Sequence, residues 1–248
     1  MPQYGLVGYP LGHSFSKKYF TEKFEREGLA GLSYENFAIP SIDEFPEILR
    51  RHPELRGLNV TIPYKEAVLQ FLDEKDEIVQ QAGACNCIRI ENGKLIGFNT
   101  DVPGFQRSLE MLLQPHHKQA LILGTGGASK AVRFVLERQG IQSRFVSRKA
   151  DPSKEILGYE DLGPDILQAF TLIVNTTPVG TFPNVDESPA IPYSLLTAKH
   201  YCYDLVYNPD ETAFLRQAKA MGAAVKNGRD MLEIQAEEGW RIWNEHTK

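Results

Sequence analysis

The sequence predicts an α/β protein in two domains, and two observations carry that expectation. The first is Ala120-Leu-Ile-Leu-Gly124-Thr125-Gly126-Gly127-Ala128-Ser129, a short apolar strand, a glycine turn and the opening of an amphipathic helix. The second is its context. Another strand, 142–147, follows at βαβ distance, and apolar strands recur at 171–175, 200–205 and 223–226, the alternation of a doubly wound parallel sheet. About a hundred of the 248 residues precede this region, enough for an α/β domain of their own. The expected organisation is an N-terminal α/β domain over 1–103, a Rossmann-like domain over 104–229, and a last helix, 230–248, packing back on the first domain. A cleft is expected between the two domains.

The glycine turn is a place to hold a pyrophosphate. Glycines let the backbone approach phosphate oxygens, and the N–H groups at the start of the new helix face the negative charge. A third glycine is usual where this chain has Ser129, so the fingerprint is incomplete; a plain strand-to-helix turn is the alternative. The end of the second strand bears on which nucleotide. A free ribose 2′-hydroxyl is normally met there by an acid, and a 2′-phosphate by cations. This strand ends Ser147-Arg148-Lys149, with Asp151 arriving later, which favours NADP(H) over NAD(H).

Composition narrows the classes. The chain is 42% hydrophobic and 24% charged with a formal net charge of −5, ordinary for a globular enzyme and against a nucleic-acid partner. No run approaches the ~18 apolar residues of a membrane span and no basic leader is evident, so a cytoplasmic location is expected. Cys85, Cys87 and Cys202 are too few and wrongly spaced for a zinc site or disulfide framework, and His116-His117 lacks partners at metal spacing; no metal is expected.

In the first hundred residues a strand over 4–8 leads through Tyr9-Pro10-Leu11-Gly12-His13-Ser14-Phe15-Ser16 into a helix whose apolar face is Tyr19, Phe20 and Phe24. Two serines at a helix start are either N-caps or, with the helix N–H groups, a cradle for a carboxylate; local chemistry leaves both open. A strand over 33–39 is followed by the capping box Ser41-Ile-Asp-Glu44 and a helix ending before Pro53. In 58–62 the alternation puts Leu58, Val60 and Ile62 on one face and Asn59 and Thr61 on the other. Pro63 is then expected to open a helix with Lys65 in its first turn, where a cation opposes the helix dipole. Lys65 is either a solvated lysine or a functional residue that breaks a local rule.

Asn92-Gly93 between alternating runs is a hairpin signal. Its register pairs Glu91 with Lys94, Ile90 with Leu95, Ile88 with Gly97 and Asn86 with Asn99, gathering Asn86, Asn99 and Asp101 at one end. Asp101 can alternatively cap the helix expected over 104–113. The last helix places Leu232, Ala236, Trp240 and Trp243 on one stripe, with Gln235 at its edge.

Gly8-Tyr-Pro10…His13-Ser14-Phe-Ser16, Asn59-Val-Thr61-Ile-Pro63-Tyr-Lys65, Gly83-Ala84-Cys-Asn86, Asn99-Thr100-Asp101, Gly124-Thr-Gly126-Gly127-Ala128, Asn175-Thr-Thr177-Pro178-Val-Gly180, Asp204-Leu-Val-Tyr207-Asn-Pro209 and Met231-Leu232…Gln235-Ala236 together resemble the shikimate dehydrogenase family, in that family's order across nearly the whole chain. The resemblance implies reversible reduction of 3-dehydroshikimate to shikimate with NADPH, a step of aromatic amino-acid biosynthesis. It further implies Lys65 and Asp101 as the catalytic pair, Ser14 and Ser16 at the substrate carboxylate, and Thr61, Asn86, Tyr207 and Gln235 as other substrate contacts. For NADP(H) it implies Gly124, Thr125, Gly126, Gly127, Ala128 and Ser129 at the pyrophosphate, Ser147, Arg148 and Lys149 at the 2′-phosphate, Leu205 and Gly228 near the nicotinamide, and Glu77 near the cofactor. Partners would be small molecules, with the chain a monomer or homodimer. Lys17, Cys87, Ser147 and Thr181 depart from the residues usual in the family at those positions. Two other readings stay open: a dual quinate/shikimate dehydrogenase, and a non-catalytic NADP(H)-sensing module, since a nucleotide fold does not by itself imply turnover.

Overall fold

A computed structural model describes residues 1–12 and 15–245. The chain divides into two compact units, Met1–Asp101 with Gln235–Lys248, and Val102–Ile234.

The first unit contains β1 (Gln3–Gly8), α1 (Phe15–Arg26), β2 (Ser33–Ala38), α2 (Phe45–Arg51), β3 (Leu55–Val60), β4 (Glu74–Lys75), α3 (Glu77–Ala82), β5 (Cys87–Glu91) and β6 (Lys94–Phe98). The chain continues through α4 (Asp101–Glu110), β7 (Gln119–Leu123), α5 (Gly127–Arg138), β8 (Gln142–Ser147), β9 (Ile156–Gly158), α6 (Pro164–Ala169), β10 (Leu172–Asn175), β11 (Tyr201–Asp204), α7 (Ala213–Ala220) and β12 (Ala224–Lys226) to α8 (Arg229–Asn244), whose C-terminal part belongs to the first unit.

In the first unit the sheet order is β2-β1-β3-β5-β6-β4. Strands β2, β1 and β3 run parallel, and the β5–β6 hairpin enters antiparallel beside β3. Its register is the one the Asn-Gly turn dictates: Glu91 opposes Lys94, Ile90 opposes Leu95 and Ile88 opposes Gly97. Asn92 and Gly93 both take positive φ, 52° and 79°, as a two-residue turn of this kind requires. The ladder ends at Cys87–Phe98. Asn86 does not pair with Asn99; its amide donates instead to the Phe98 carbonyl at 3.1 Å, its carbonyl accepts from Val60 on the β3 side, and its side chain is held by Thr100.

Two apolar clusters build this unit. Val7, Phe45, Leu58, Val60, Val68 and Ile88 fill one. The other gathers Tyr4, Phe20, Phe24 and Tyr34 against Ala236, Ile242 and Trp243 of α8. Trp243 stacks on Tyr4 at 4.9 Å and donates to the Ile88 carbonyl at 3.0 Å. Gly57 lets the indole come this close, since a Cβ there would meet it at 2.4 Å.

Several elements differ from the sequence expectation. The chain leaves β3 after Val60, so Ile62 does not share the buried face of Leu58 and Val60 but is 72% exposed. Pro63 opens no helix. A turn closes between Thr61 and Tyr64, the Tyr64 hydroxyl bonds the Ile39 carbonyl at 2.6 Å, and a short 3₁₀ helix starts only at Ala67. Tertiary anchoring of Tyr64 thus overrides the N1 preference of proline, and Lys65 sits in a turn, not at the positive end of a helix. The Ser41–Glu44 capping box forms but caps a 3₁₀ turn that runs into α2. Helix α4 starts at Asp101, earlier than expected.

The second unit is a six-stranded parallel sheet in the order β12-β11-β10-β7-β8-β9. Counted from β7, this is the 6-5-4-1-2-3 order of a Rossmann-like doubly wound fold, which reverses between β7 and β10. Leu121, Leu123, Ile173, Cys202, Phe214 and Leu215 lie in its core.

Candidate active site

Lys65 and Asp101 come from separate stretches of the first unit. The turn after β3 carries Lys65, whose carbonyl accepts the Cys85 amide at 2.8 Å and so ties this turn to the entry of β5. Asp101 stands just past β6 at the head of α4. Their side chains meet: Lys65 Nζ donates to Asp101 Oδ2 at 2.7 Å, with both side chains partly accessible to solvent. An ammonium held against a carboxylate at a solvent-reachable position can deliver a proton to an incoming oxygen and recover it.

Around this pair runs a buried chain of polar groups. Burial holds the Tyr34 phenol well above its ordinary pKa, so it stays protonated; it takes a hydrogen bond from Ser16 and donates to Asn59 Oδ1 at 2.7 Å. Asn59 Nδ2 donates to the Asn86 carbonyl at 3.3 Å. The Asn86 amide is held at both ends by Thr100: Oδ1 accepts the Thr100 N–H at 2.6 Å and Nδ2 donates to the Thr100 hydroxyl at 3.0 Å. That hydroxyl donates onward to Gln235 Oε1 at 3.4 Å. Asn86 Nδ2 carries a second N–H besides the one on Thr100, and Gln235 turns its Oε1 toward Thr100.

Among the expected substrate residues, Ser16, Asn86 and Gln235 are therefore joined in one network, and Thr61 lies at the end of β3 with its methyl against Gly8. Gln235 is not at the edge of the helix stripe. It is 8% exposed, on a buried face with Ala236, Gly239, Ile242 and Trp243, because the unit packs against that side of α8. Ser14 lies outside the described residues, and Tyr207 belongs to the second unit. Tyr34, Asn59 and Thr100 complete the network but were not singled out for it; their partners are distant in sequence, and only the shared inward face of Asn59 and Thr61 hinted at one of them.

In the second unit the glycine turn after β7 opens on a groove of about 680 Å³ lined by Gly124, Thr125, Gly126, Ser147, Arg148, Tyr159, Thr176, Thr177 and the segment 187–190, among others. Gly124 has φ of +102°, and a Cβ on it would press on Thr177 at 2.9 Å; a Cβ on Gly126 or Gly127 would meet nothing within 4 Å. The open space over the turn and the head of α5, where the Ser129 amide already turns back to the Gly126 carbonyl at 3.1 Å, fit a dinucleotide pyrophosphate, and Arg148 on the groove wall fits an added phosphate. Ser129 corrects the expectation for its side chain: its hydroxyl turns inward to the Gly126 carbonyl at 2.6 Å and the residue is buried. Gly127, Ala128 and Lys149 are not among the groove's lining residues, and Lys149 is exposed, its amide on the Ser147 hydroxyl. Leu205 and Gly228 are brought together: a Cβ on Gly228 would lie 2.2 Å from the Leu205 carbonyl oxygen, so only glycine permits the approach. Glu77 heads α3 in the first unit, bonded by Gln81, and does not line the groove. Among the described residues no group of three or more His, Cys, Asp or Glu could hold a metal.

Fold and site define a class first: a two-unit α/β protein whose first unit bears a lysine–aspartate pair and whose second is a dinucleotide-binding unit of Rossmann type. Residues 6–88 match the model of the shikimate dehydrogenase substrate binding domain. The chain is 36% identical to the NADP(+) shikimate dehydrogenase of Caldicellulosiruptor saccharolyticus and 38% identical to that of Methanococcus maripaludis, covering 96% of this chain and 90% of each of those proteins. It also superposes with a TM-score of 0.83 and 34% identity on the Thermus thermophilus shikimate 5-dehydrogenase crystallised with NADP(H) and shikimate, over 98% of this chain and 94% of that one. The chain belongs to the shikimate dehydrogenase family.

Proposed function

We propose that this protein is an NADP-dependent shikimate dehydrogenase that interconverts 3-dehydroshikimate and shikimate on the route to aromatic amino acids. The observation that carries the reading is the 2.7 Å contact of Lys65 with Asp101 beside the Asn86–Thr100–Gln235 network. NADPH, when bound, supplies the hydride that reduces the ring ketone carbon. Lys65 in its ammonium form donates a proton to the oxygen that becomes the alcohol, and as the neutral amine takes that proton back in the oxidation. Asp101 holds the amine in place through the 2.7 Å bond. Ser14 and Ser16 receive the substrate carboxylate. Thr61, Asn86, Tyr207 and Gln235 contact the rest of the ring, the two amides through their N–H groups.

In the second unit, Gly124 to Ser129 hold the pyrophosphate through backbone groups, and Ser147, Arg148 and Lys149 the 2′-phosphate. Leu205 and Gly228 flank the nicotinamide, and Glu77 is assigned near the cofactor. Residues 1–103 serve as the substrate domain and 104–229 as the NADP domain. We place the protein in the cytoplasm, as a monomer or homodimer; among the described residues no helix is long and apolar enough to cross a membrane.

The test is the fall in NADPH absorbance on mixing the protein with 3-dehydroshikimate. Consumption supports the reading, whereas tight NADPH binding without consumption favours a sensing module. Comparing oxidation of shikimate and quinate with NADP(+) separates the dedicated enzyme from a dual one.

A further inference from the structure

Lys23 on α1 is 4% exposed, and its cation has no place in the proposed chemistry. Its Nζ donates to both carboxylate oxygens of Glu237 on α8, at 2.8 and 2.9 Å, and to Glu27 at 2.8 Å, and it stands 5.9 Å from the centre of the Trp240 ring. The Tyr19 hydroxyl also donates to Glu237. Phe20, Phe24, Tyr4 and Trp243 form the apolar surroundings. Its partners lie at the rim, the Glu237 side chain 46% exposed and that of Glu27 37%, and ion pairs to such carboxylates add little to stability, so stability alone does not account for an ammonium set among these rings.

Direction does. The apolar contacts between α1 and α8 are non-directional, and the Trp243 indole bond to the Ile88 carbonyl anchors α8 about two turns beyond Gln235, which leaves the rotation of the turn carrying Gln235 to a nearer contact. A two-oxygen bond from Lys23 to Glu237 sets it. Glu237 lies two residues beyond Gln235, about 3 Å along the helix axis, and Gln235 meets Thr100 by a hydrogen bond of 3.4 Å that a small rotation would break. Lys23 itself is seven residues along α1 from Ser16, about two turns on the same helix.

We propose that Lys23 is a positioning residue for the substrate: its ion pair with Glu237 sets the rotation and register of α8, and with them the direction in which Gln235 presents its amide N–H. The inference rests on the reading of this protein as a shikimate dehydrogenase in which Gln235 meets substrate.

The experiment measures kcat and both KM values for shikimate oxidation by NADP(+) in the wild type, Lys23→Met, Lys23→Arg and Glu237→Gln. The methionine variant is expected to raise the shikimate KM about tenfold, the size of effect a sub-ångström displacement of a binding group produces. Its kcat and its KM for NADP(+) stay within about twofold. Lys23→Arg, which keeps a cation within reach of both carboxylates, restores the shikimate KM to within about twofold. An unchanged shikimate KM in Lys23→Met overturns the inference, and so does a parallel loss in kcat and both KM values together with a lower Tm. If the methionine variant does not fold, Glu237→Gln decides. Its side chain is partly exposed at the rim, a rise of about threefold in the shikimate KM supports the proposal, and no change overturns it. A wild type that binds NADP(+) but does not oxidise shikimate overturns the functional reading and this inference with it.

Discussion

Thr100 holds the Asn86 side chain by both ends of its amide, its backbone N–H on Oδ1 at 2.6 Å and its hydroxyl beneath Nδ2 at 3.0 Å, while being itself fully buried. A free asparagine amide can flip and offer either oxygen or nitrogen to a ligand. This one cannot, because turning it would set its N–H₂ against the Thr100 N–H. Thr100→Val keeps the shape and the backbone N–H but removes the hydroxyl that orders both Asn86 and Gln235. The shikimate KM should then rise about tenfold, one net hydrogen bond of about 1–1.5 kcal/mol, while Thr100→Ser stays near the wild type. Steady-state kinetics with the three proteins test this, and an unaltered KM in the valine variant would show that the amide orientation is set elsewhere.

Lys65 and Asp101 differ in what their removal takes away. Lys65→Ala deletes the proton donor and should lower kcat about 10²–10⁴-fold with a modest change in KM. Asp101→Asn leaves a group able to hold the amine but not its charge, so a smaller loss in kcat is expected. A Lys65→Ala enzyme with near-normal kcat would remove Lys65 from proton transfer.

How much of this was visible in the linear chain varies with the kind of interaction. The β5–β6 register was legible because Asn92-Gly93 and a period of two are local signals, and the parallel second sheet because each of its first strands is followed by its own turn chemistry. The turn at Pro63 was not, since a hydrogen bond from Tyr64 to Ile39, 25 residues away, decides it. The burial of Gln235 comes from the packing of α8 on residues far away in sequence, among them Thr100, 135 residues earlier. Tyr34 reads as an ordinary aromatic of a strand; nothing local says that its hydroxyl will be spent on Asn59.

Arg148 and Lys149 are both exposed, but only Arg148 lines, beside Ser147, the groove over the glycine turn that we propose holds the cofactor. Arg148→Ala should therefore raise the KM for NADPH about 10- to 100-fold, the worth of a charge-assisted hydrogen bond at ~1.5–3 kcal/mol. The KM for NADH, which lacks the 2′-phosphate, should move less than about threefold. Equal losses for the two cofactors would place the 2′-phosphate away from Arg148.

The three thiols are buried, and burial pushes Cys85 up to about 12 and Cys87 well above its ordinary value, with Cys202 raised likewise. The thiolate is the reactive form, so a disulfide reagent at pH 8 should titrate none of them in the native protein and all three after unfolding in denaturant. Rapid reaction of even one equivalent before unfolding would contradict the burial of that thiol.

Asp204 is fully buried at the end of β11, where Asn175, Val206 and Thr212 donate to it at 2.9, 3.0 and 2.6 Å. Desolvation nevertheless outweighs these bonds and raises its pKa from 3.8 to about 6. Between those two values the native protein holds a proton that the unfolded chain has released, so this group's contribution to stability falls as pH rises from about 4 to about 6 and is flat above. Two units at 1.36 kcal/mol each make the fall about 3 kcal/mol. His117 contributes the opposite slope. Burial lowers its pKa, its Nδ1 accepts the Gln114 amide at 2.9 Å, and the unfolded chain takes up a proton below about 6.5 that the native ring resists. Measuring the unfolding free energy of the wild type and of Asp204→Asn at a series of pH values, and subtracting, cancels the histidine. The wild type should lose ground to the variant steadily from pH 4 to 6. A difference that stays constant with pH would mean that Asp204 titrates alike in the folded and unfolded chains.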